Sequence, residues 1–319
     1  MTTKRHTTLL AVLLLAATSG CSDRGDPPDD PSVSGAARDS ASRATLGRIY
    51  EQRIVFVPLG SNPAVIVPVF FSARTVPGGV IRSARGWLTQ GDDWETFFED
   101  RWQGPPTRAP WRPLPRRSLR LVVGEGDVLE SVVYEEGSQL LELDLEAGLV
   151  EWTGPEGDAL RLHEGGLRFG GQQVPGVVME MNRVRPGPEP TAGDWAFLIS
   201  GDSLAVLLES PRQAEAGARG AFVGFGRLDF QDLRWPEVTV DWAETRSYEP
   251  ARRDIPMSWV ISSPGAEIRG GFEVSAAWLE AGDGEGPVLP VEALYAVSGE
   301  LRVDGRAYPV TGLFRHRRP

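Results

Sequence analysis

The chain has 319 residues, a formal net charge of −11 with 33 Lys and Arg against 44 Asp and Glu, and a single cysteine. Its only lysine is Lys4, in a leader expected to be cleaved. Without it, Schiff-base, pyridoxal-phosphate and P-loop chemistry are excluded, and an acidic body disfavours nucleic acid and anionic lipid surfaces as partners.

In chain order, Met1 to Gly20 joins a basic start (Lys4, Arg5) to the nine-residue apolar run Leu9 to Ala17 and then to Thr18-Ser19-Gly20-Cys21. A basic start, a short apolar core and small residues before a cleavage point make a secretory signal peptide. The run is about half the ~20 residues a transmembrane helix needs. A cysteine directly after Ser-Gly is the lipobox arrangement of bacterial lipoproteins, so Cys21 is read as the lipidated N-terminus of the mature chain. Several acyl chains on one residue anchor firmly, at ~0.8 kcal/mol per buried CH₂. Cleavage removes Lys4 and Arg5 and moves the net charge to −13. With Cys21 acylated, no thiol nucleophile, disulfide, iron–sulfur or cysteine zinc site remains, and the imidazoles left are His163 and His316. The expected location is the bacterial envelope, at the outer membrane facing the periplasm and held there by the lipid.

Residues 21–45, rich in Pro, Ser and Asp, bury too little to offset chain entropy and read as a disordered tether. Beyond them, apolar and β-branched runs of five to nine residues recur, among them Ile54–Leu59, Ala64–Ser72, Leu119–Val123, Trp195–Ser200, Leu204–Glu209 and Phe272–Leu279. Many alternate apolar with polar, and 37 Gly and 26 Pro supply turns. The expectation is an all-β body of two tandem antiparallel barrels or sandwiches. A short helix is predicted over Asp93–Trp102, with Asp92 as cap and Glu95 completing a capping box. Leu167-Arg-Phe-Gly-Gly171-Gln-Gln-Val-Pro175 aligns without gaps to Leu301-Arg-Val-Asp-Gly305-Arg-Ala-Tyr-Pro309, 134 positions later. Both read as a strand, a tight turn and a return strand, which suggests duplication. The boundaries are then 46–187 and 188–319, meeting at the Pro-rich stretch 185–190.

Gly201-Asp-Ser203-Leu-Ala205 lacks the strand–turn–helix setting of a nucleophile elbow, so Ser203 reads as a hairpin-turn residue. His163-Glu164 lacks the second histidine of a zincin and reads as a turn histidine. Gly224-Phe-Gly226 reads as a bulged strand. Asp229, Asp232 and Asp241 lie near Trp235 and Trp242, where a carboxyl in a dry pocket could act as a general acid or else belong to a solvated strand face. The ten tryptophans either fill small cores or line a cavity for an apolar ligand.

From about Val238 onward the chain resembles the carotenoid 1,2-hydratase and related secreted lipocalin-like hydrolases. The matching pieces are Asp241-Trp242 with Tyr248-Glu-Pro250, Ile255-Pro-Met-Ser-Trp259, Glu292-Ala-Leu-Tyr295 and the hairpin running from Val297-Ser-Gly299 to Gly312. The resemblance implies two lipocalin-like barrels with an apolar ligand in or between them. The family's Glu-Trp-Trp-Tyr segment has no counterpart, and its terminal Gly-Tyr-x-Glu-Leu is replaced by Leu313-Phe-Arg-His316. These readings converge on an apolar or isoprenoid-like ligand held by Trp195, Trp235, Trp242, Trp259 and Tyr295, with no cofactor, no metal and no assigned protein partner. The alternatives are hydration or hydrolysis by Asp241, Tyr248, Glu292 and His316, or a structural or assembly lipoprotein.

Overall fold

In the computed structural model, residues 47–60, 65–155, 157–186, 193–210 and 219–318 are described; Cys21, the leader and the tether lie outside them. Apart from three short 3₁₀ turns, the regular elements among the described residues are seventeen antiparallel strands. Among the described residues no helix is long and apolar enough to cross a membrane. Nine strands make the first sheet: β1 (Ile49–Pro58), β2 (Val67–Val76), β3 (Gly79–Gln90), β4 (Asp93–Gly104), β5 (Leu119–Val123), β6 (Leu129–Glu136), β7 (Gln139–Thr153), β8 (Ala159–Phe169) and β9 (Gln172–Arg185). Their order, β4-β3-β2-β1-β9-β8-β7-β6-β5, is a barrel wall left open between β4 and β5. The second sheet is a closed barrel of β10 (Trp195–Ser200), β11 (Leu204–Glu209), β12 (Arg219–Leu228), β13 (Gln231–Tyr248), β14 (Arg253–Ser262), β15 (Ile268–Ala281), β16 (Val291–Val303) and β17 (Arg306–Arg318), with β17 returning to pair with β10. The expected all-β tandem-barrel architecture is what the chain adopts.

Period-two alternation sorts each strand between two interiors. On β1, Ile54 and Phe56 point into the first barrel while Val55 and Val57 point out of it. On β10, Ala196 and Leu198 point into the second barrel while Trp195, Phe197 and Ile199 point out. The outward residues do not meet water. They form a third core, where the two sheets pack together around Trp87, Trp195, Phe197, Leu207 and Leu313. Strands buried on both faces read as continuous apolar runs, as in Trp-Ala-Phe-Leu-Ile of β10, where all five are buried. The tryptophans follow this division. Trp87, Trp94, Trp152, Trp195 and Trp278 pack in the shared core and Trp235, Trp242 and Trp259 in the second barrel, whereas Trp111 is exposed.

The two echoed segments are hairpins of identical register: Leu167 faces Val174 and Phe169 faces Gln172, as Leu301 faces Tyr308 and Val303 faces Arg306. Ser203 lies in the turn between β10 and β11, and the register of β12 shifts between Phe222 and Gly224, as a bulge requires.

Two local expectations are corrected. Asp93–Trp102 is not a helix but most of β4, paired with β3 from Val80↔Gly104 to Gln90↔Asp93. Trp94, Phe98 and Trp102 repeat every four residues as on a helix face, but in β4 a bulge beside Phe97 turns Trp94 to the shared core while Phe98 and Trp102 face the first barrel. Pairing decides for the strand, reinforced by Arg85 Nε donating to Glu99 across it at 2.7 Å. His163 is not a turn residue but sits within β8 and is buried. The glycines after it mimic a turn in sequence, yet Gly165 is a strand residue whose missing Cβ makes room for Val178; a Cβ would lie 2.4 Å from Val178 Cγ2.

Candidate functional site

Where β17 returns to β10, the closing strands carry a polar pair. Asp194, just before β10, and His316 on β17 are both buried, with His316 Nδ1 2.9 Å from Asp194 Oδ2. Asp194 Oδ1 also accepts the Arg317 amide at 3.1 Å. Burial alone would raise the Asp194 carboxyl; the charge and hydrogen bond of His316, with Arg318 and the Arg317 amide, outweigh it and hold the group below the usual carboxylate range. Nδ1–H is therefore the donor, and Nε2 is the ring's free face.

Alternation aims His316 into the barrel together with Phe314, Tyr295 and Trp259. Trp242 stands edge-on to the imidazole at 5.3 Å, and Arg318 covers Trp242 at 5.3 Å. Below, Trp259 stacks on Phe314 at 4.2 Å and meets Tyr295 edge-on at 5.4 Å. His316 Nε2, the Tyr295 hydroxyl and the Trp259 indole N–H are buried without a hydrogen-bond partner. Burial, then the Asp194 charge, pushes the Tyr295 phenol up, so it stays a neutral donor. This end of the barrel is apolar packing that holds three unpartnered polar atoms, the imidazole Nε2 and two neutral donors, chemistry that suits proton transfer to or from an apolar substrate.

The first barrel has its own polar tip. Glu180 on β9 is 2% exposed and accepts from Gln52 at 2.8 Å and Asn182 at 2.7 Å, with His163 Nε2 at 3.7 Å and Arg161 at 3.8 Å. Burial opposes its ionisation, but the nearby His163 ring, the bonds from Asn182 and Gln52 and the Arg161 charge keep it below the ordinary range. An opening of about 650 Å³ lined by Leu129, Leu145, Arg161 and His163 lies beside it. The positions correspond: the 134-residue echo carries Asn182 onto His316, and their partners across the closing strands are Gln52 and Asp194.

Of the residues singled out from sequence, His316, Trp242, Trp259 and Tyr295 gather at the second barrel's tip; Tyr248 packs in a separate small cluster with Ala251, Ile255 and Val291, its hydroxyl donating to the Leu279 carbonyl at 3.4 Å. Trp235 packs deeper in the same lumen. The others lie elsewhere. Asp241 has the opposite parity to Val240 and Trp242 and faces out of the barrel. Glu292 also faces outward, where Arg315 donates to its Oε1 from Nε at 3.0 Å and Nη2 at 2.6 Å. Trp195 lies in the shared core, edge-on to Phe70 at 6.0 Å. Asp229 and Asp232 are exposed. Asp194 and Glu180, the carboxylates that do face imidazoles, carried no sequence signal: Asp194 meets His316 only where β17 returns to β10, and Glu180 meets His163 only across the β8–β9 ladder. Among the described residues no group of three or more His, Cys, Asp or Glu forms a metal-ligand set.

Where the sheets meet at another edge there is a cleft of about 620 Å³. Leu59, Leu149 and Val177 of the first sheet and Leu204 and Ala205 of the second supply its apolar wall, with Glu146, Glu164, Asp202, Asp229 and Arg227 around it. Arg227 Nη1 donates to the Leu149 carbonyl and ties the two sides together. Phe230, at the β12–β13 turn, is 91% exposed on the rim.

No protein-family model matches the chain, and no curated protein matches it by sequence. Its fold is nevertheless shared with solved structures. A putative AttH from Nitrosomonas europaea superposes with a TM-score of 0.55 at 10% identity, over 91% of this chain and 97% of that one. The kievitone hydratase of Nectria haematococca superposes with a TM-score of 0.52 at 11% identity, over 86% of this chain and 90% of that one. At this identity the likeness establishes the tandem lipocalin-like fold.

Proposed function

We propose that the protein is a lipid-anchored envelope lipoprotein whose paired barrels hold an apolar or isoprenoid-like small molecule. The observation that carries the reading is the 620 Å³ cleft between the sheets, within the ~300–1,000 Å³ range of small-molecule sites. Its wall is apolar, and an exposed phenylalanine stands at the entrance. Anchoring rests on the Ser-Gly-Cys21 signature and the tether after it. The test has two arms. Cys21→Ser should abolish incorporation of labelled acyl chains and release the protein from membranes. In a screen of polyprenols, carotenoids and fatty acids read by tryptophan quenching and native mass spectrometry, Ala205→Phe should weaken binding at least tenfold, because Ala205 lines the cleft. Ligand binding that is unchanged in Ala205→Phe, or no binding by any of these compounds, would sink the cleft reading.

A second reading, acid–base hydration or hydrolysis, is favoured by one observation: the buried Asp194–His316 pair beside Tyr295 among apolar side chains. It also accords with the shared fold of a protein named as a hydratase. His316→Gln should then abolish water addition to an unsaturated isoprenoid while leaving cleft binding intact. Turnover equal to wild type in that variant removes His316 from any reaction.

A further inference from the structure

We propose that a second, smaller cavity between the sheets, of about 150 Å³, binds an oxyanion: inorganic phosphate or sulfate, or the acidic head of an amphiphile. It lies apart from the cleft and from both lumen tips, and the proposal does not depend on the function proposed above.

The cavity is walled by Glu51 and Arg53 of β1, Ser72 of β2, Ser83 and Arg85 of β3, Glu292 of β16, and Arg315 and Arg317 of β17. Arg85 is neutralised away from it, by a bidentate pair with Glu280 at 2.6 and 3.1 Å and by Glu99. Glu51 is shared by Arg53, at 3.2 Å, and Arg185. Glu292 is taken by Nε and Nη2 of Arg315, which leaves Arg315 Nη1 buried and without a partner in a residue only 4% exposed. Among the described residues Arg317 makes no side-chain ion pair. Of the lining guanidinium groups, Arg53, Arg315 and Arg317 therefore face two carboxylates, Glu51 and Glu292, in a half-enclosed space between the sheets, in a chain whose overall charge is −11. Like charges so placed are costly where the local dielectric is low. Arg53 registers the excess: burial and then Arg315, Arg183 and Arg185 pull its pKa down to about 9.

An oxyanion relieves this arrangement. Planar guanidinium forks match phosphate, sulfate and carboxylate oxygens in pairs. The Ser72 and Ser83 hydroxyls, 2.8 Å apart on the same wall, add neutral donors. The volume is several times the ~30 Å³ share of one water, which admits a tetrahedral anion or a lipid headgroup and excludes a nucleotide.

The full mature protein is titrated with potassium phosphate and sodium sulfate against sodium chloride at equal ionic strength, and with dodecyl phosphate below its micelle concentration against dodecyltrimethylammonium. Unfolding temperature and tryptophan fluorescence are read, since Trp87 lines the cavity. Phosphate and sulfate should raise the unfolding temperature beyond the chloride control. Arg317→Gln should weaken that response at least tenfold and Arg317→Glu should abolish it, while Arg269→Gln, at an exposed site, should leave it unchanged. In chloride alone Arg317→Gln should be as stable as wild type or more so, because it relieves repulsion; a purely structural arginine would give the opposite sign. A response to dodecyl phosphate that exceeds the one to inorganic phosphate identifies a headgroup site, and equal responses identify a free ion. No oxyanion-specific shift, or a shift intact in Arg317→Glu, overturns the proposal.

Discussion

His316 is gripped by its Nδ1 and left open at Nε2, and both facts follow from where one carboxylate stands. Asp194 has two oxygens and uses both, one on the imidazole and one on the Arg317 amide. Asp194→Ala thus leaves a buried amide and a buried ring nitrogen without their acceptor, at about 1–3 kcal/mol for each unsatisfied group. A loss of about 2–4 kcal/mol is expected in urea unfolding. Asp194→Asn, which keeps an acceptor oxygen, should lose less than half of that. Equal losses in the two variants would mean that the carboxylate is not what orients the ring.

At the scale of the strand, the second barrel closes through close backbone contact. Gly312 on β17 faces Leu198 of β10, and a Cβ there would lie 2.0 Å from the Phe197 carbonyl oxygen. Since the obstruction is main chain, a side chain cannot step aside. Gly312→Ala should cost at least ~2 kcal/mol, in line with overpacking, and should lower the protection of β10 and β17 amides from exchange more than that of β13. Alternation and turn residues were enough to read most strands, and the echo at 134 positions picked out both terminal hairpins, whose registers match. What failed was local. In β4 the four-residue recurrence of Trp94, Phe98 and Trp102 mimics a helix face, and only pairing with β3, through a bulge that puts Trp94 on the opposite face, selects the strand. At His163 a Gly-Gly pair that signals a turn serves close packing instead. The candidate site was partly legible. Tyr295, Trp242, Trp259 and His316 share a lumen because their strand parities agree, whereas Asp241 and Glu292 sit one residue out of phase. Asp194 follows a Pro-rich stretch with no periodic pattern, so nothing short of ring closure pairs it with His316.

Across the whole molecule, buried charge gathers at the seam between the sheets and at the two lumen tips. Glu51, Glu292, Asp194 and Glu180 are all held below the ordinary carboxylate range. In each case burial opposes ionisation and basic or hydrogen-bonding partners overcome it; Glu51 reaches about 2 under Arg53 and Arg185. A depressed folded pKa adds stability that is complete above the unfolded value and is lost as pH falls through the folded one. For Glu51 that contribution is on the order of 3 kcal/mol. Stability should stay level from neutrality down to about pH 5 and then fall steeply toward pH 2. Because Trp87 of one sheet packs edge-on against Trp278 of the other at 5.2 Å, and Asp158, Arg183 and Glu209 join the sheets through ion pairs, both barrels should melt in a single calorimetric transition. Two resolved transitions would show the shared core to be weaker than its apolar content implies. The seam between β4 and β5 sets the two tubes apart in another respect. Asp100 of β4 reaches Arg116 at 2.7 Å, in a connecting segment with five prolines between 105 and 118, and proline cannot extend a ladder. A hoop hydrogen-bonded all round can widen only by breaking bonds, whereas a split one changes its girth by flexing. The capacity to swell around a bulky guest therefore belongs to the N-terminal tube, while its neighbour keeps a fixed bore.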